Sequence, residues 1–288
     1  MKLSVFTVST PEYDVNKTIE VLKELGYDGV EWRTANPPPA SKPDTYTFQN
    51  RYWSYNLSTI DINSIYDTAH SLGKLCVDNN LEVCSLSTYL NPTKVDEIEK
   101  VAKAASVASC KNIRVMLPKY NQEINYKTQF LKAIDDVKAL QKIPQKYNIR
   151  INFEIHMGNI IPSASAAYRF ISNFSPEHFG LIYDIGNMVY EGFEDYKLGI
   201  ELLDDYLAYV HIKNAKWELE GYDNEGAEIW KPSASLIKKG YADIPRIIRV
   251  LKEKNYKSFL SIEDFSNEED TYTKLKNNLE YLKKLINE

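Results

Sequence analysis

The run Arg150-Ile151-Asn152-Phe153-Glu154-Ile155-His156-Met157-Gly158-Asn159, RINFEIHMGN, alternates apolar with polar side chains. In an extended chain Ile151, Phe153 and Ile155 fall on one face, and Asn152, Glu154 and His156 on the other. A half-exposed edge strand has this pattern. So does a strand whose polar face carries a metal or catalytic site, and the surrounding sequence must decide between them.

Outward from this run, short β-branched or apolar segments recur, each ahead of a stretch with helical periodicity. LSVFTVS (3–9) precedes a helix over Val15–Leu25, and GVEWR (29–33) leads through a polar loop to a helix over Ile65–Asn80. EVCSLSTYL (82–90) precedes Lys94–Ala108, and NIRVMLP (112–118) precedes Thr128–Tyr147. The opening strand precedes Ala164–Ile171, and GLIYDIGN (180–187) precedes Tyr196–Asp205. LAYVHIKN (207–214) enters a long loop before Ile244–Lys254, and SFLSIEDF (258–265) precedes a closing helix over Thr271–Ile286. Strands alternating with helices imply parallel crossover connections, and eight such units in 288 residues predict a single-domain (β/α)8 TIM barrel over residues 1–288. A doubly wound sheet is the main competitor, but no GxGxxG follows the first strand. Two insertions stand out. Thr34–Asp61 contains NPPPASKP and Trp53, and Ala215–Asp243 contains Trp217 and Trp230. Both follow strands, which puts them on the face where barrels keep their active sites.

With 43% hydrophobic and 26% charged residues, the composition is that of a globular protein with a substantial core. A net charge of -5 gives no general attraction to nucleic acid or to an anionic membrane. MKLSVFTVST turns polar too soon for a signal peptide, and no apolar run reaches membrane-spanning length. Cys76, Cys84 and Cys110 are odd in number and lack metal-binding spacing, which favours a reducing, cytoplasmic setting.

The later strands repeat the pattern of the opening run. Asp184 shares a face with Ile182 and Gly186, His211 with Tyr209 and Lys213, and Glu263 with Phe259, Ser261 and Phe265. The outer face of a barrel must be apolar to pack against helices, so these sets should point inward. Glu154, Asp184, His211 and Glu263 all stand late in their strands, near the C-terminal mouth. Three carboxylates meeting in a low-dielectric interior repel one another unless a cation neutralises them. Carboxylate oxygens with one imidazole suit a single Mn²⁺, Mg²⁺, Co²⁺ or Zn²⁺.

The order Glu, Asp, His, Glu on strands five to eight resembles the xylose isomerase-like TIM barrels. That superfamily includes sugar isomerases, sugar epimerases, inosose dehydratases and AP endonucleases. The likeness runs through LKELGYDGVEWR (22–33), EIHMGN (154–159), YDIGN (183–187), VHIKN (210–214), KKGYADIPRIIRVLKEKNY (238–256) and SIEDF (261–265). It implies Glu154, Asp184, His211 and Glu263 as the ligands of one divalent metal, with Glu154 and Glu263 also the acid/base pair. Two positions depart from the pattern: Asn187 stands where many relatives have histidine, and Asn214 where HxKD is common.

A metal so bound can chelate a hydroxy-ketone, polarise its carbonyl and stabilise the enediolate left when the adjacent C–H loses its proton. Carboxylates on opposite sides of that carbon then give epimerisation or isomerisation of a sugar or sugar phosphate. His156, Asn187, Lys213, Lys216 and Arg33 are the expected substrate contacts, with second-layer hydrogen bonds or rim charges as the alternative for each. Trp53, Trp217 and Trp230 could wall a sugar site or merely pack the loops. A dehydratase of the inosose or dehydroshikimate type uses the same proton abstraction, and a sugar-binding barrel without catalysis is the non-enzyme alternative. An AP endonuclease needs more histidines than the four present. The expected partner is therefore a small sugar-like molecule, not nucleic acid or membrane. A homo-oligomer is compatible with the resemblance, since dimers and tetramers are common among similar barrels.

Overall fold

The computed structural model describes residues 1–45 and 47–288. Its strands in chain order are β1 (Lys2–Phe6), β2 (Gly29–Ala35), the two-residue β3 (Ile60–Asp61), β4 (Glu82–Ser87), β5 (Asn112–Arg114) and β6 (Arg150–Glu154). They continue with β7 (Phe179–Asp184), β8 (Leu207–Ile212), β9 (Ala215–Tyr222), β10 (Glu228–Ala234) and β11 (Phe259–Ile262). Eight of them form a parallel sheet in the order β1-β11-β8-β7-β6-β5-β4-β2, and pairing of β1 with β2 closes it into a barrel. The TIM barrel read from the strand–helix alternation is the observed fold.

The helices are α1 (Val15–Leu25), α2 (Ile65–Asp78), α3 (Val95–Val107), α4 (Tyr126–Lys138), α5 (Lys142–Tyr147), α6 (Ala164–Ile171), α7 (Ile185–Tyr190), α8 (Tyr196–Leu203), α9 (Ile244–Glu253) and α10 (Thr271–Asn287). Several start where a side chain satisfies a free backbone amide. Asp14, Asn125, Ser163, Asp195, Asp243 and Asp270 each accept a hydrogen bond from the first turn of the helix that follows. The strands' outward apolar residues, among them Val30, Ile113, Phe153, Leu181, Val210 and Leu260, are fully buried against this helical layer.

Three expectations need revision. The helix over Thr128–Tyr147 is two helices, because Pro144 has no N–H to bond back to residue 140 and is tolerated only in the first turn of the new helix α5. A further short helix, α7, opens directly on Asp184. The segment after the seventh barrel strand is a β-hairpin rather than a loop: β9 and β10 pair antiparallel, and Gly226 takes φ +86° in the turn. No helix among the described residues is long and apolar enough to cross a membrane.

Candidate metal centre

Strand register brings the four late-strand residues together. Asp184 of β7 pairs with His211 of β8, and Ser261 of β11 pairs with His211 from the other side, so that Glu263 stands one pleat above it. Glu154 is level with Ile182 of β7. One donor atom from each of Glu154, Asp184, His211 and Glu263 lies within 4.8 Å of all the others, and all four residues are buried. His211 Nδ1 is 3.4 Å from Glu154 Oε1 and 3.5 Å from Asp184 Oδ2. A divalent cation with bonds of about 2.1 Å holds its donors roughly 3–4.2 Å apart, a range that the two His211 distances meet and that the 4.8 Å limit for the whole set slightly exceeds.

The hydrogen bonds around the cluster leave the right atoms free. Asp184 spends Oδ1 on capping α7, accepting from Asn187 N at 2.7 Å. Its Oδ2, and Nδ1 of His211, are buried without a hydrogen-bond partner among the described residues. Buried polar atoms are rarely left so, and two of them facing one point fit a site that could take a cation. Below the cluster, Glu31 on β2 is fully buried and lies 3.0 Å from His211 Nε2. It also accepts from Ser87 Oγ (2.5 Å), Tyr209 OH (3.0 Å) and Ser261 Oγ (2.6 Å). An ionised carboxylate can only accept, so Nε2 carries a proton toward Glu31, and Nδ1, facing Glu154 and Asp184, is the nitrogen that could present a lone pair to a cation. Phe6 stacks on the imidazole at 5.6 Å and fixes its plane.

Two cations complete the ring. Arg114, at the end of β5, donates from Nη1 to Glu154 Oε2 at 2.7 Å, and its guanidinium lies over the rings of Phe6 and Tyr89. Lys213 Nζ sits 2.8 Å from Glu263 Oε2 and donates to Asn187 Oδ1 at 2.8 Å. Lys213 can cross there because residue 186 is glycine: a Cβ on Gly186 would come within 2.3 Å of Lys213 Cγ. Among the described residues, the carboxylates of Glu31, Glu154, Asp184 and Glu263 face the cations of Arg114 and Lys213 and the imidazole of His211, a set that leaves room for the charge of a divalent ion.

The titration behaviour of the metal-free cluster has the same origin. Burial would raise Glu154, but Arg114, His211 and His156 outweigh it and hold the carboxyl well below its usual range. Glu263 is pushed up to about 7 by burial, with Asp184 and Glu154 adding to the effect against Lys213 and His211. Burial works against a charged His211, yet Glu31, Asp184 and Glu154 raise its proton affinity well above normal. At Glu263 and His211 the neighbouring carboxylates favour bound positive charge, which a cation could supply. The cysteines take no part, being buried and free of disulfides, and burial pushes Cys76 up to about 11 and Cys110 to about 12.

Above the cluster opens a cavity of about 730 Å³ at the C-terminal mouth. Of the expected substrate contacts, His156, Lys213 and Lys216 line it. His156 is held by its Nδ1 contact with Met157 O at 2.7 Å, and burial lowers its proton affinity. Lys216 is ion-paired with Glu218 at 2.7 Å. The structure places the other two elsewhere. Asn187 is fully buried behind the ligands, donating to Glu154 Oε1 at 2.9 Å while accepting from Lys213, and so acts as a spacer between them. Arg33 is buried and committed to the first insertion, donating to Thr59 Oγ1 and, at 2.8 Å, to Trp53 O.

Asn214 needs to be an amide. Nδ2 donates to Ile237 O (2.7 Å) and Ala242 O (3.0 Å), and Oδ1 accepts from Ala215 N and Ala242 N at 2.9 Å. An aspartate could not donate, so this departure fits a structural clamp on the loop that carries the hairpin.

Glu31 and Arg114 were not singled out from the sequence as site residues. The signal was there: each is a charged residue alternating with buried apolar neighbours in a barrel strand, Val30 and Trp32 around one, Ile113 and Val115 around the other.

Comparison with known proteins agrees with this fold. The model of the xylose isomerase-like TIM barrel family matches residues 19–285. An inosose dehydratase of Halalkalibacterium halodurans is 23% identical over 141 residues, covering 47% of this chain and 46% of that relative. The match thus spans about half the length of the curated relative. The apo 3-keto-D-glucoside 4-epimerase from E. coli superposes with a TM-score of 0.70 at 16% identity, covering 99% of both chains. An IOLI protein crystallised with a zinc atom superposes with a TM-score of 0.72 at 14% identity, covering 99% of this chain and 98% of that one. At these identities the structural likeness is one of fold.

Proposed function

The chain belongs to the xylose isomerase-like TIM barrel family, and from that premise we propose that it is a divalent-metal-dependent isomerase or epimerase of a sugar or sugar phosphate. One observation carries the reading. Of the four clustered residues, only Glu154 and Glu263 also line the cavity; Asp184 and His211 stay sealed behind it. A divalent cation bound by the four would supply Lewis-acid polarisation of a substrate carbonyl and stabilise negative charge on its oxygen. The chain's own residues supply the proton transfers. Glu154 on β6 and Glu263 after β11 reach the cavity from strands separated by β7 and β8, so they approach the carbon beside the carbonyl from different sides. One takes its proton and the other returns one. Arg114 at 2.7 Å from Glu154, and Lys213 at 2.8 Å from Glu263, stabilise each carboxylate once its proton has left. His156 reaches the same cavity and can hold a substrate oxygen.

A second reading, dehydration, is favoured by the likeness to an inosose dehydratase. It would share the proton abstraction and end with expulsion of the β-hydroxyl. Incubation with metal and a panel of ketoses, ketose phosphates and inososes in D₂O separates the two: epimerisation gives solvent deuterium in an isomeric product, dehydration gives water loss. In either case Glu263→Gln should lower C–H exchange by about 10²–10⁴-fold. Full exchange in Glu263→Gln contradicts the proton-transfer role, and metal-dependent ligand binding without exchange would favour a non-catalytic barrel.

A further inference from the structure

We infer that the substrate is an unphosphorylated sugar carrying a second ring beyond its reacting carbonyl, a disaccharide or glycoside. The inference rests on the metal-dependent reading above and concerns the outer part of the same cavity.

The first observation is electrostatic. Among the described residues, each lysine or arginine that lines the cavity is already paired with a carboxylate. Arg114 is paired with Glu154, Lys213 with Glu263, and Lys216 with Glu218. The outer wall adds Glu268, whose partner Lys239 is 2.9 Å away. A phosphate dianion entering here meets committed cations and additional carboxylates, and burying an unpaired charge is costly. Among the described residues, Arg114 Nη2 is a buried donor without a hydrogen-bond partner. The N–H donors of an already ion-paired guanidinium suit a neutral hydroxyl or carbonyl oxygen.

The usual phosphate position of a barrel is closed as well. It is built from the loops after strands seven and eight and a helix N-terminus with free amides. Here the seventh barrel strand, β8, is followed almost at once by the hairpin β9–β10. The N-termini of α9 and α10 are filled by Asp243 and Asp270, which accept from Arg246 N and Thr273 N at 3.0 Å.

The third observation is a continuous aromatic wall. Phe265 begins beside the metal centre, with its ring centroid 5.0 Å from Lys213 Nζ. Trp53 stacks on Phe265 at 5.2 Å, and Phe48 lies 5.4 Å from Trp53 at the outer end, 47% exposed. Such faces take the C–H side of a sugar ring well. The cavity, at about 730 Å³, falls in the upper part of the range of roughly 300–1,000 Å³ that holds drug-sized ligands. A lone hexose chelated at the metal would leave the Phe48–Trp53 end bare.

The test compares three ligands that share one ketose and differ only at O6: D-fructose, D-fructose 6-phosphate and isomaltulose, which carries a glucosyl group there. Binding to the Mn²⁺-loaded protein is measured by calorimetry. Isomaltulose should bind on the order of tenfold more tightly than fructose, and the phosphate no more tightly than fructose. The isomaltulose-to-fructose ratio should fall towards one in Trp53→Ala and in Phe48→Ala; the exposed Phe48 provides a variant with little risk to folding. Tightest binding by the phosphate, no preference for isomaltulose, or a preference untouched by both variants overturns the inference. Chelation separates this from failure of the metal-dependent reading: loss of binding on chelation with the phosphate preferred refutes the substrate class alone, whereas binding indifferent to chelation refutes the metal reading.

Discussion

The ring around the metal centre and the outer wall of the cavity are constructed by different means. In the ring, side chains hang from consecutive barrel strands, are almost wholly buried, and fix one another through short polar contacts, four of which converge on Glu31 between 2.5 and 3.0 Å. The outer wall comes from the two insertions and the start of the β11–α10 loop. It relies on ring contacts of 5.2–5.9 Å, and Phe48 stays about half exposed. Buried, mutually satisfied polar networks specify one geometry, whereas surface loops tolerate variation. On the proposed function, the strands would carry the chemistry and the insertions the substrate selection.

Perturbing the ring from below should have the larger effect. Glu31→Gln touches neither the cavity nor any of the four metal-facing residues except His211, whose Nε2–H it would no longer hold against a carboxylate. Divalent-metal affinity, measured by chelator competition, should fall by about 10–100-fold. An unchanged affinity would show that His211 is oriented without Glu31. A smaller effect is expected in the hairpin. Trp217 Nε1 donates to Val189 O at 3.0 Å and ties β9 to α7. Trp217→Phe should cost about 1 kcal/mol in denaturant melts and leave metal affinity as in the wild type. A change in metal affinity there would mean that the two regions are not separable.

The same division explains how much was legible in the sequence. The period-two alternation of β6, β7, β8 and β11 exposes Glu154, Asp184, His211 and Glu263 because an outward barrel face has no room for charge, so their inward placement follows from local pattern alone. Arg33 shows the limit of that logic. It shares a face with Glu31, yet its side chain is taken by Thr59 and the Trp53 carbonyl of an insertion whose path no periodicity encodes. Asn187 shows the same limit: it follows Asp184 into α7, and the helix turns it behind Glu154 and Asp184 rather than to the cavity lining. The hairpin was readable in part, since Trp217 and Leu219 alternate with Glu218 and Glu220 ahead of a turn containing Gly226. Its long polar composition masked that alternation.

The central claim is that Glu154, Asp184, His211 and Glu263 hold one divalent cation. Calorimetric titration of chelator-treated protein with Mn²⁺, comparing wild type with Asp184→Asn, tests it most directly. The substitution preserves the Oδ1 cap on Asn187 N and removes the charge at Oδ2. The wild type should bind one ion per chain, and Asp184→Asn should show no site at the same concentrations. A wild type that binds no divalent cation, or a variant with unaltered stoichiometry and affinity, would contradict the account.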